Sequence, residues 1–149
     1  MIIRKAKLSD SKELYRLYNL AVKGFKQDFG IIVHAETPIT YIKKVIRKRK
    51  TLFLVAEDKG KLIGFAIAGR FEAADDKRER VFVDNVFVIK EYRKKGVASN
   101  FMKTILNWAK KNKCVRVGLS SHVKNKTALA LWPKLGFKEH HISFKKDLK

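Results

Sequence analysis

The sequence has little of several features that would narrow its function at once. A single cysteine, Cys114, excludes internal disulfides and a zinc site built from cysteines. The four histidines show no ligand spacing such as H-x-x-x-H, and we expect no metal. No apolar run approaches the roughly 20 residues that span a bilayer, and the opening stretch MIIRKAKLSD has no apolar signal region. We therefore expect a cytoplasmic protein without a membrane partner.

Acidic residues are also scarce. Lys and Arg number 35 against 14 Asp and Glu, which gives a formal net charge of +21. Such a charge attracts nucleic acids, acidic proteins and phosphorylated cofactors alike, and it selects none of them. Lysine-rich surfaces are also common in proteins from hot or salty cytoplasms, so the charge has an environmental explanation as well as a functional one.

Length and apolar patterning predict one domain. The chain has 149 residues, 46% of them apolar, and this suffices for a single domain over residues 1–149. Apolar spacing predicts the order β-α-α-β-β-β-α-β-α-β, a mixed sheet with helices in the α/β or α+β class. The first half of the chain is predicted to form a strand at MIIRKA, a helix with a capping box at Asp10 and Glu13 that runs to about residue 26, and a helix opened by Thr37-Pro38. A hairpin around Lys59-Gly60, a polar loop at AADDKRER and a strand at VFVDNVFVI follow. The last part is predicted to form a helix to about Asn112, a strand at CVRVGLSS, a short helix at NKTALALW and a closing strand at FKEHHISFKKDL.

The stretch EYRKKGVAS, residues 91–99, has the features of a phosphate-binding turn. A pyrophosphate needs several backbone N–H groups in one concavity, together with the positive end of a helix dipole. A strand ending near Ile89, a tight turn and a helix starting near Gly96 supply both. Gly96 has no Cβ to block the approach, and Val97 and Ala98 are small. Alone, the same string also fits an ordinary basic surface turn.

Two longer stretches resemble the signatures of the GNAT (Gcn5-related N-acetyltransferase) superfamily. VFVIKEYRKKGVA resembles its acetyl-CoA-binding motif, in which a strand leads into Arg/Gln-x-x-Gly-x-Gly/Ala and a helix; Arg93, Gly96 and Ala98 match. LSSHVKNKTALALWPKLGF resembles its second signature, Asn-x-x-Ala-x-x-Leu-Tyr-x-x-x-Gly-Phe. The matching residues there are Asn125, Ala128, Leu131, Gly136 and Phe137. The predicted order of elements also fits that fold, a mostly antiparallel sheet with about four helices.

The resemblance implies acetyl-CoA as cosubstrate and a position for each part of it. The backbone amides of residues 93–98 would hold the pyrophosphate, with Lys94 and Lys95 adding charge. The strand around Phe87 and Val88 would pair with the pantetheine arm, and a backbone N–H of this strand would polarise the thioester carbonyl. Asn125 would reach the pantetheine and also cap its own helix. The implied cofactor contacts are Phe87, Val88, Arg93, Lys94, Lys95, Gly96, Val97, Ala98 and Asn125.

Direct acetyl transfer to a primary amine needs a base, and a carboxylate is suitable. Asp84 is the first candidate, because strand alternation places it on the same face as Val86 and Val88. Glu72, on the preceding strand, is a second candidate. His34 and Glu36 are candidates for the lining of the acceptor pocket, and each of these side chains could equally be a solvated surface group.

The sequence departs from the family pattern at the expected general acid. Relatives carry a tyrosine where this chain has Trp132, whose indole N–H donates a hydrogen bond but does not release a proton near neutral pH. Trp132 thus either assists the departing thiolate or forms a pocket wall. Tyr41 and Tyr92 are possible substitutes, although nothing in the sequence places either hydroxyl at the sulfur. Ser120 and Ser121 fit strand positions better than nucleophile positions.

A rival hypothesis keeps the fold but assigns it to binding. In that hypothesis the +21 charge docks the chain on RNA, the ribosome or an acidic partner, with little or no catalysis. Against it, the basic clusters RKRK and KKNK lie at helix ends without interleaved aromatic residues. Homodimers are common in the family that the chain resembles, and we retain a homodimer as an open expectation.

Overall fold

The computed structural model describes residues 1–30 and 36–148. The strands are β1 (Ile2–Lys5), β2 (Thr51–Asp58), β3 (Lys61–Ala73), β4 (Asp76–Val88) and β5 (Val117–Leu119), and the α-helices are α1 (Ser11–Phe29), α2 (Ile39–Arg47), α3 (Val97–Lys111) and α4 (Lys126–Lys134). The strands form one sheet in the order β1-β2-β3-β4-β5. Neighbouring strands are antiparallel except β4 and β5, which are parallel. The predicted class, a mixed and mostly antiparallel sheet covered by helices, is confirmed.

The sheet separates two hydrophobic clusters. On one face α1 and α2 bury Leu14, Leu17 and Ile42 against side chains of β2 and β3, with Phe65 at the centre. On the other face α3 buries Phe101 and its neighbours, and α4 adds partly buried groups around them. Strands β2 and β3 are therefore apolar on both faces, and this explains why their sequences read as nearly continuous apolar runs.

The hairpin between β2 and β3 forms as predicted. Its two turn residues, Lys59 and Gly60, have φ of 48° and 77°. Two consecutive left-handed residues are the signature of a type I′ turn, which matches the twist of the paired strands. The turn thereby sets the register that places Phe65 opposite Val55.

The predicted polar loop at AADDKRER is wrong, since most of it belongs to the hairpin of β3 and β4. Pairing continues out to Ala73 and Asp76. Arg78 Nε donates to Asp76 Oδ2 at 2.8 Å, and its hydrogen bonds hold the pKa of Asp76 far below the usual range. Arg70 Nη1 donates to Glu79 Oε2 across the strands at 3.0 Å. These charge pairs stabilise a strand whose polar sequence resembles a loop.

The predicted closing strand is also wrong. Residues 138–148 form no strand, and in this segment Ile142 and Phe144 are 79% and 90% exposed. The alternating pattern needs a sheet edge to pair with, and β5 offers only three residues, Val117–Leu119, instead of the predicted CVRVGLSS. The shortening of β5 has a consequence for the site, because it releases Ser120 and Ser121 from the sheet.

Two helix ends differ from their predictions in detail. Helix α1 continues to Phe29 and ends at Gly30, whose φ of 68° is the usual left-handed cap. Asp10 precedes the helix, but its carboxylate binds the guanidinium of Arg4, Nη1 to Oδ2 at 2.8 Å, instead of forming the predicted capping box. Within the described ranges, no helix is long and apolar enough to cross a membrane.

Candidate active site

The site is a cleft that opens where β4 and β5 separate. The two strands pair over three residues, from Val81 opposite Val117 to Val83 opposite Leu119. Beyond Val83, β4 continues beside β3 alone, and the chain after β5 turns toward α4. The volume between the two diverging segments is about 1060 Å³. Its walls are the second half of β4, the start of α3, residues 119–122 and α4.

A β-bulge at Asp84 shapes the strand at the inner end of this cleft. Ile67 pairs with Asn85 and Ala68 pairs with Val83, so Asp84 is an extra residue without a partner in β3. A bulge shifts the alternation of the side chains that follow it. The carboxylate of Asp84 lies 3.9 Å from the Cβ position of Gly69.

The bulge makes one prediction wrong, namely that Asp84 shares a face with Val86 and Val88. Both valines pack on the α3 side of the sheet. The charge of Asp84 acts instead on Tyr18 of α1, which stacks on Phe65 on the opposite face. Asp84 nevertheless lines the cleft, because its bulge lies at the edge that β5 leaves open.

Asp84 is the candidate base, and its surroundings alter its acidity. The side chain is exposed by area, yet the atoms around it remove enough water to raise the pKa of this carboxyl above its usual value of 3.8. The positive charge of Lys48 opposes the shift and is the smaller effect. A raised pKa makes Asp84 a better proton acceptor than a fully hydrated aspartate.

The backbone of β4 presents unpaired groups to the cleft. The N–H of Ile89 donates to the carbonyl of Ile63 on β3 at 3.0 Å. In an antiparallel pair such residues alternate, so the N–H of Phe87 also points to β3, whereas those of Val86 and Val88 point to the opposite edge. Both predicted pantetheine contacts, Phe87 and Val88, line the cleft. The backbone N–H of Val88 points toward the cleft edge, and the side chain of Phe87 is buried on the α1 face.

One of these outward groups already has a partner. The guanidinium Nε of Arg93 donates to the carbonyl of Val88 at 2.9 Å, which fixes the turn against the strand. The N–H groups of Val86 and Val88 and the carbonyl of Val86 lie along the cleft edge. Together they form a short extended template with which a linear amide can pair.

The turn before α3 provides an anion cradle of the predicted kind. Lys94 and Gly96 both have left-handed backbones, with φ of 60° and 80°, and Gly96 is the N-cap of the helix. The first N–H to bond within the helix is that of Asn100, which donates to Gly96 O at 3.0 Å. The earlier amides, those of Val97 and Ala98 among them, have no carbonyl one turn back. No atom lies within 4 Å of the Cβ position at Gly96, so the approach is open.

The basic side chains of the turn divide into two groups. Arg93 and Lys94 line the cleft. The ammonium of Lys95 instead lies over the ring of Tyr92, 5.2 Å from its centroid, and Lys95 is outside the cleft lining. The hydroxyl of Tyr92 donates to Asp58 Oδ2 at 2.8 Å, and this hydrogen bond lowers the pKa of Asp58 and raises that of Tyr92. Tyr92 is therefore an anchor of the turn.

The opposite wall comes from α4. Asn125 is its N-cap, and its side-chain oxygen accepts from the N–H of Ala128 at 3.1 Å, while the residue also lines the cleft. Trp132 lies nearly two turns further along. Its indole Nε1 donates to Ser121 Oγ at 2.6 Å, and its ring meets Phe137 edge to face at 6.2 Å between centroids.

The inner end of the cleft includes residues that the sequence did not single out. The ring of His122 stacks on Phe29 of α1 with centroids 5.2 Å apart, and Phe25 and Asp28 continue this wall. These residues belong to the core pattern of α1 or to a loop, and no sequence motif marks them. They form one wall only because the end of α1 packs against the loop after β5.

Two of the three predicted acceptor residues, Glu36 and Glu72, are outside the cleft lining. Glu36 accepts a hydrogen bond from the Tyr15 hydroxyl at 2.8 Å, away from the cleft. Glu72 is exposed near the far end of β3. His34 lies outside the described residues. Tyr41, the other possible acid, is 44% exposed on α2 and is likewise outside the lining. In the described part of the chain, no group of three or more His, Cys, Asp or Glu side chains is arranged to hold a metal ion.

Comparisons with known proteins agree with this geometry. An uncharacterized N-acetyltransferase of Methanocaldococcus jannaschii is 26% identical over 141 residues, which cover 94% of this chain and 62% of that protein. The spermine/spermidine N(1)-acetyltransferase of Bacillus subtilis is 35% identical over 81 residues, 52% of this chain and 53% of that protein. The chain thus spans 62% and 53% of the length of these two relatives, less than two thirds in each case.

A solved structure shows the same fold over the whole chain. A mutant form of a protein from Bacillus halodurans superposes with a TM-score of 0.89 at 19% identity, with all of both chains covered. A model of the Acetyltransferase (GNAT) family matches residues 14–137, which include the turn at residues 93–98 and the segment from Asn125 to Phe137. The chain therefore belongs to the GNAT acetyltransferase family.

Proposed function

We propose that the protein is an acetyl-CoA-dependent N-acetyltransferase that transfers the acetyl group directly to a bound primary amine. The observation that carries the proposal is the position of two unsatisfied backbone surfaces in one cleft. The amides at the start of α3 suit a pyrophosphate, and the edge of β4 at Val86 and Val88 suits an amide-containing arm. A CoA thioester has both parts in this order.

Binding of acetyl-CoA would use backbone more than side chains. The N–H groups of residues 96–98 would contact the pyrophosphate, and Arg93 and Lys94 would add positive charge beside it. Val86 and Val88 would pair with the pantetheine amides. Both side-chain N–H groups of Asn125 remain available for the same arm, since the cap uses only its side-chain oxygen.

The chemistry would proceed without a covalent acetyl-enzyme. Asp84, directly or through one water, would take a proton from the ammonium of the acceptor. The amine nitrogen then bonds to the carbonyl carbon, and the carbonyl oxygen accepts from the backbone N–H of Val86 while it carries negative charge. The carbon–sulfur bond breaks, the nitrogen releases its remaining extra proton to solvent, and the thiolate takes up one proton, so the products are an amide and the free thiol.

The acceptor would be a cationic amine that enters at the inner end of the cleft. Asp28 and Asp84 provide negative charge there, and Phe25, Phe29 and His122 provide ring faces that suit an ammonium group. A polyamine is compatible with these features, and the relative named for spermine and spermidine supports including both compounds in a screen.

Two measurements on the purified chain test the proposal. The first is the shift in Tm with acetyl-CoA, compared with the shift produced by acetate alone. The second is free-thiol release from acetyl-CoA with spermine, spermidine, an aminoglycoside and a peptide with a free N-terminal alanine. We expect stabilisation by acetyl-CoA and thiol release that depends on one amine class. Absence of stabilisation by acetyl-CoA would contradict the proposal, and salt-sensitive RNA binding without turnover would favour the rival binding role.

A further inference from the structure

We propose that Ser121 donates a hydrogen bond to the thioester sulfur as it leaves, and that Trp132 holds Ser121 in place for this purpose. The inference rests on the proposed acetyltransferase function. It answers a question that the fold alone leaves open, namely what stabilises the thiolate in a chain with an indole where a phenol is expected.

The hydrogen bond between the two side chains fixes the direction of the serine proton. An indole N–H is a donor only, so Trp132 uses its one polar atom on Ser121 Oγ, at 2.6 Å. The serine oxygen is thereby the acceptor, and its own O–H must point elsewhere. Among residues 1–30 and 36–148, no acceptor lies within hydrogen-bond distance of that O–H. Ser121 lines the cleft, so the cleft is where its proton finds a partner.

The topology places Ser121 across from the carbonyl-polarising backbone. Strands β4 and β5 run parallel and pair last at Val83 and Leu119. Ser121 is two positions beyond Leu119, and Val86 is three beyond Val83, one of which is the extra residue of the bulge. Val86 and Ser121 both line the cleft, one on the β4 wall and the other on the wall formed by the segment after β5. A thioester whose oxygen accepts from the N–H of Val86 can therefore place its sulfur toward Ser121.

The roles of the two residues differ. When the amine nitrogen bonds to the carbonyl carbon, the electron pair of the carbon–sulfur bond passes to sulfur. The O–H of Ser121 spreads that charge by a hydrogen bond and keeps its own proton. The ammonium loses one proton to Asp84 or its water before attack, and the nitrogen loses a second proton to solvent as the amide forms. The thiolate takes one proton from solvent, so the overall change is ammonium plus thioester to amide, thiol and one released proton. Ser121 would be a catalytic residue and Trp132 a positioning residue.

The test compares kcat and the KM for acetyl-CoA in five variants, with the best amine of the panel as acceptor. Ser121→Ala removes the donor, and Ser121→Thr retains a hydroxyl. Trp132→Phe removes the orienting N–H together with part of the ring that packs on Phe137, and the double variant Ser121→Ala/Trp132→Phe removes both polar groups. Ser9→Ala is the control, since it removes an exposed serine hydroxyl outside the cleft lining. The Tm of each variant, with and without acetyl-CoA, separates folding and binding from catalysis.

We expect Ser121→Ala to lower kcat roughly 10- to 100-fold, at or below the usual effect of removing one transition-state hydrogen-bond donor. Its KM and its stabilisation by acetyl-CoA should stay at wild-type values. Ser121→Thr should restore most of kcat, and Ser9→Ala should stay within about twofold of wild type. The kcat of Trp132→Phe should lie between that of Ser121→Ala and that of wild type. The double variant should be no slower than Ser121→Ala, because the indole acts only through the serine.

Two results would overturn the inference while the proposed function stands. One is a Ser121→Ala variant as fast as Ser9→Ala. The other is a double variant whose loss equals the product of the two single losses, since independent effects exclude positioning through Ser121. If the wild-type chain neither binds acetyl-CoA nor releases thiol, the proposed function itself is wrong, and the inference falls with it.

Discussion

Gly96 has a left-handed backbone conformation, and the space beside it is open. Its φ is 80°, and no atom lies within 4 Å of where a Cβ would stand. Alanine at this position would strain the fold by about 1–2 kcal/mol but would leave the amides of the cradle accessible. Glutamate would add a carboxylate among those amides. We therefore expect Gly96→Ala to retain most of the stabilisation by acetyl-CoA and Gly96→Glu to abolish it, measured as the shift in Tm.

Gly60 is a matched control for this experiment. It has φ of 77° and an equally open Cβ position, but it lies in the β2–β3 turn, outside the cleft lining. Gly60→Glu should show the same backbone strain and the full acetyl-CoA shift. Equal loss in the Gly60 and Gly96 glutamate variants would mean that strain alone, not a blocked cradle, explains the effect.

Asp84→Asn tests the base. Loss of a general base costs roughly 10²–10⁴-fold in rate, and we expect a fall in kcat of this size with little change in the KM for acetyl-CoA. The base is active only when ionised. In the wild type, kcat should therefore fall as the pH drops through the pKa of Asp84, which burial raises above the ordinary 3.8. An unchanged kcat in Asp84→Asn would remove this residue from the mechanism.

Asp84→Asn should lower kcat but raise the stability of the fold. Because burial raises the pKa of Asp84, the folded state favours its protonated form. Stability should thus fall as the pH rises from the unfolded pKa through the folded one, and the penalty should be complete at neutral pH. We expect Asp84→Asn to melt at a higher temperature than wild type at pH near 7, with the difference absent below the ordinary aspartate pKa. Thermal melts across this pH range measure it.

At the scale of elements, Gly64 leaves no room for a side chain between β3 and β4. A Cβ there would meet the carbonyl oxygen of Phe87 at 2.6 Å, whereas at Gly69, also in β3, the nearest atom is Asp84 Oδ2 at 3.9 Å. Gly64→Ala must push β4 away and should cost about 1–3 kcal/mol. Gly69→Ala should be neutral or slightly stabilising. Chemical denaturation of both variants measures the difference, and equal stabilities would mean that β4 is less tightly held than the structure indicates.

The elements that the sequence predicted well are those with local signals. The Lys59-Gly60 turn needs left-handed residues, and the turn before Gly96 is marked by a glycine between a strand pattern and a helical pattern. Each of these two turns is determined by a few adjacent residues. The cradle and Asn125 could therefore be located before the fold was known.

The elements that the sequence predicted poorly depend on distant partners. The bulge at Asp84 arises from pairing with β3, and nothing in VFVDNVFVI marks which residue is extra. The tail at residues 138–148 alternates like a strand but has no edge to join. Ser121 gains its role only because β5 ends at Leu119 and Trp132 returns to it from α4. In each case the missing information is a contact between elements.

At the scale of the whole molecule, the net charge of +21 creates a positive field, and a cluster of basic side chains at the cleft adds to it locally. The cleft lining carries Arg93, Lys94, Lys124, Lys126 and Lys134. A field of this sign concentrates a phosphate-bearing ligand at the mouth of the cleft, and salt screens it over about 10 Å at 0.1 M. The long-range part of acetyl-CoA binding should therefore weaken as salt rises, whereas the backbone contacts should not.

Salt dependence of KM separates these two contributions. We expect the KM for acetyl-CoA to rise about threefold or more between roughly 0.05 and 0.5 M potassium chloride, with kcat little changed. S-acetyl-pantetheine, which has the same thioester and no phosphate, should bind more weakly throughout, and its KM should stay flat with salt. That contrast assigns the effect to the phosphates, because both donors meet the same Asp84, Val86 and Ser121. If the two KM values rose in parallel, salt would be acting on the fold or on the acceptor, and the basic charge would have no specific part in cofactor binding.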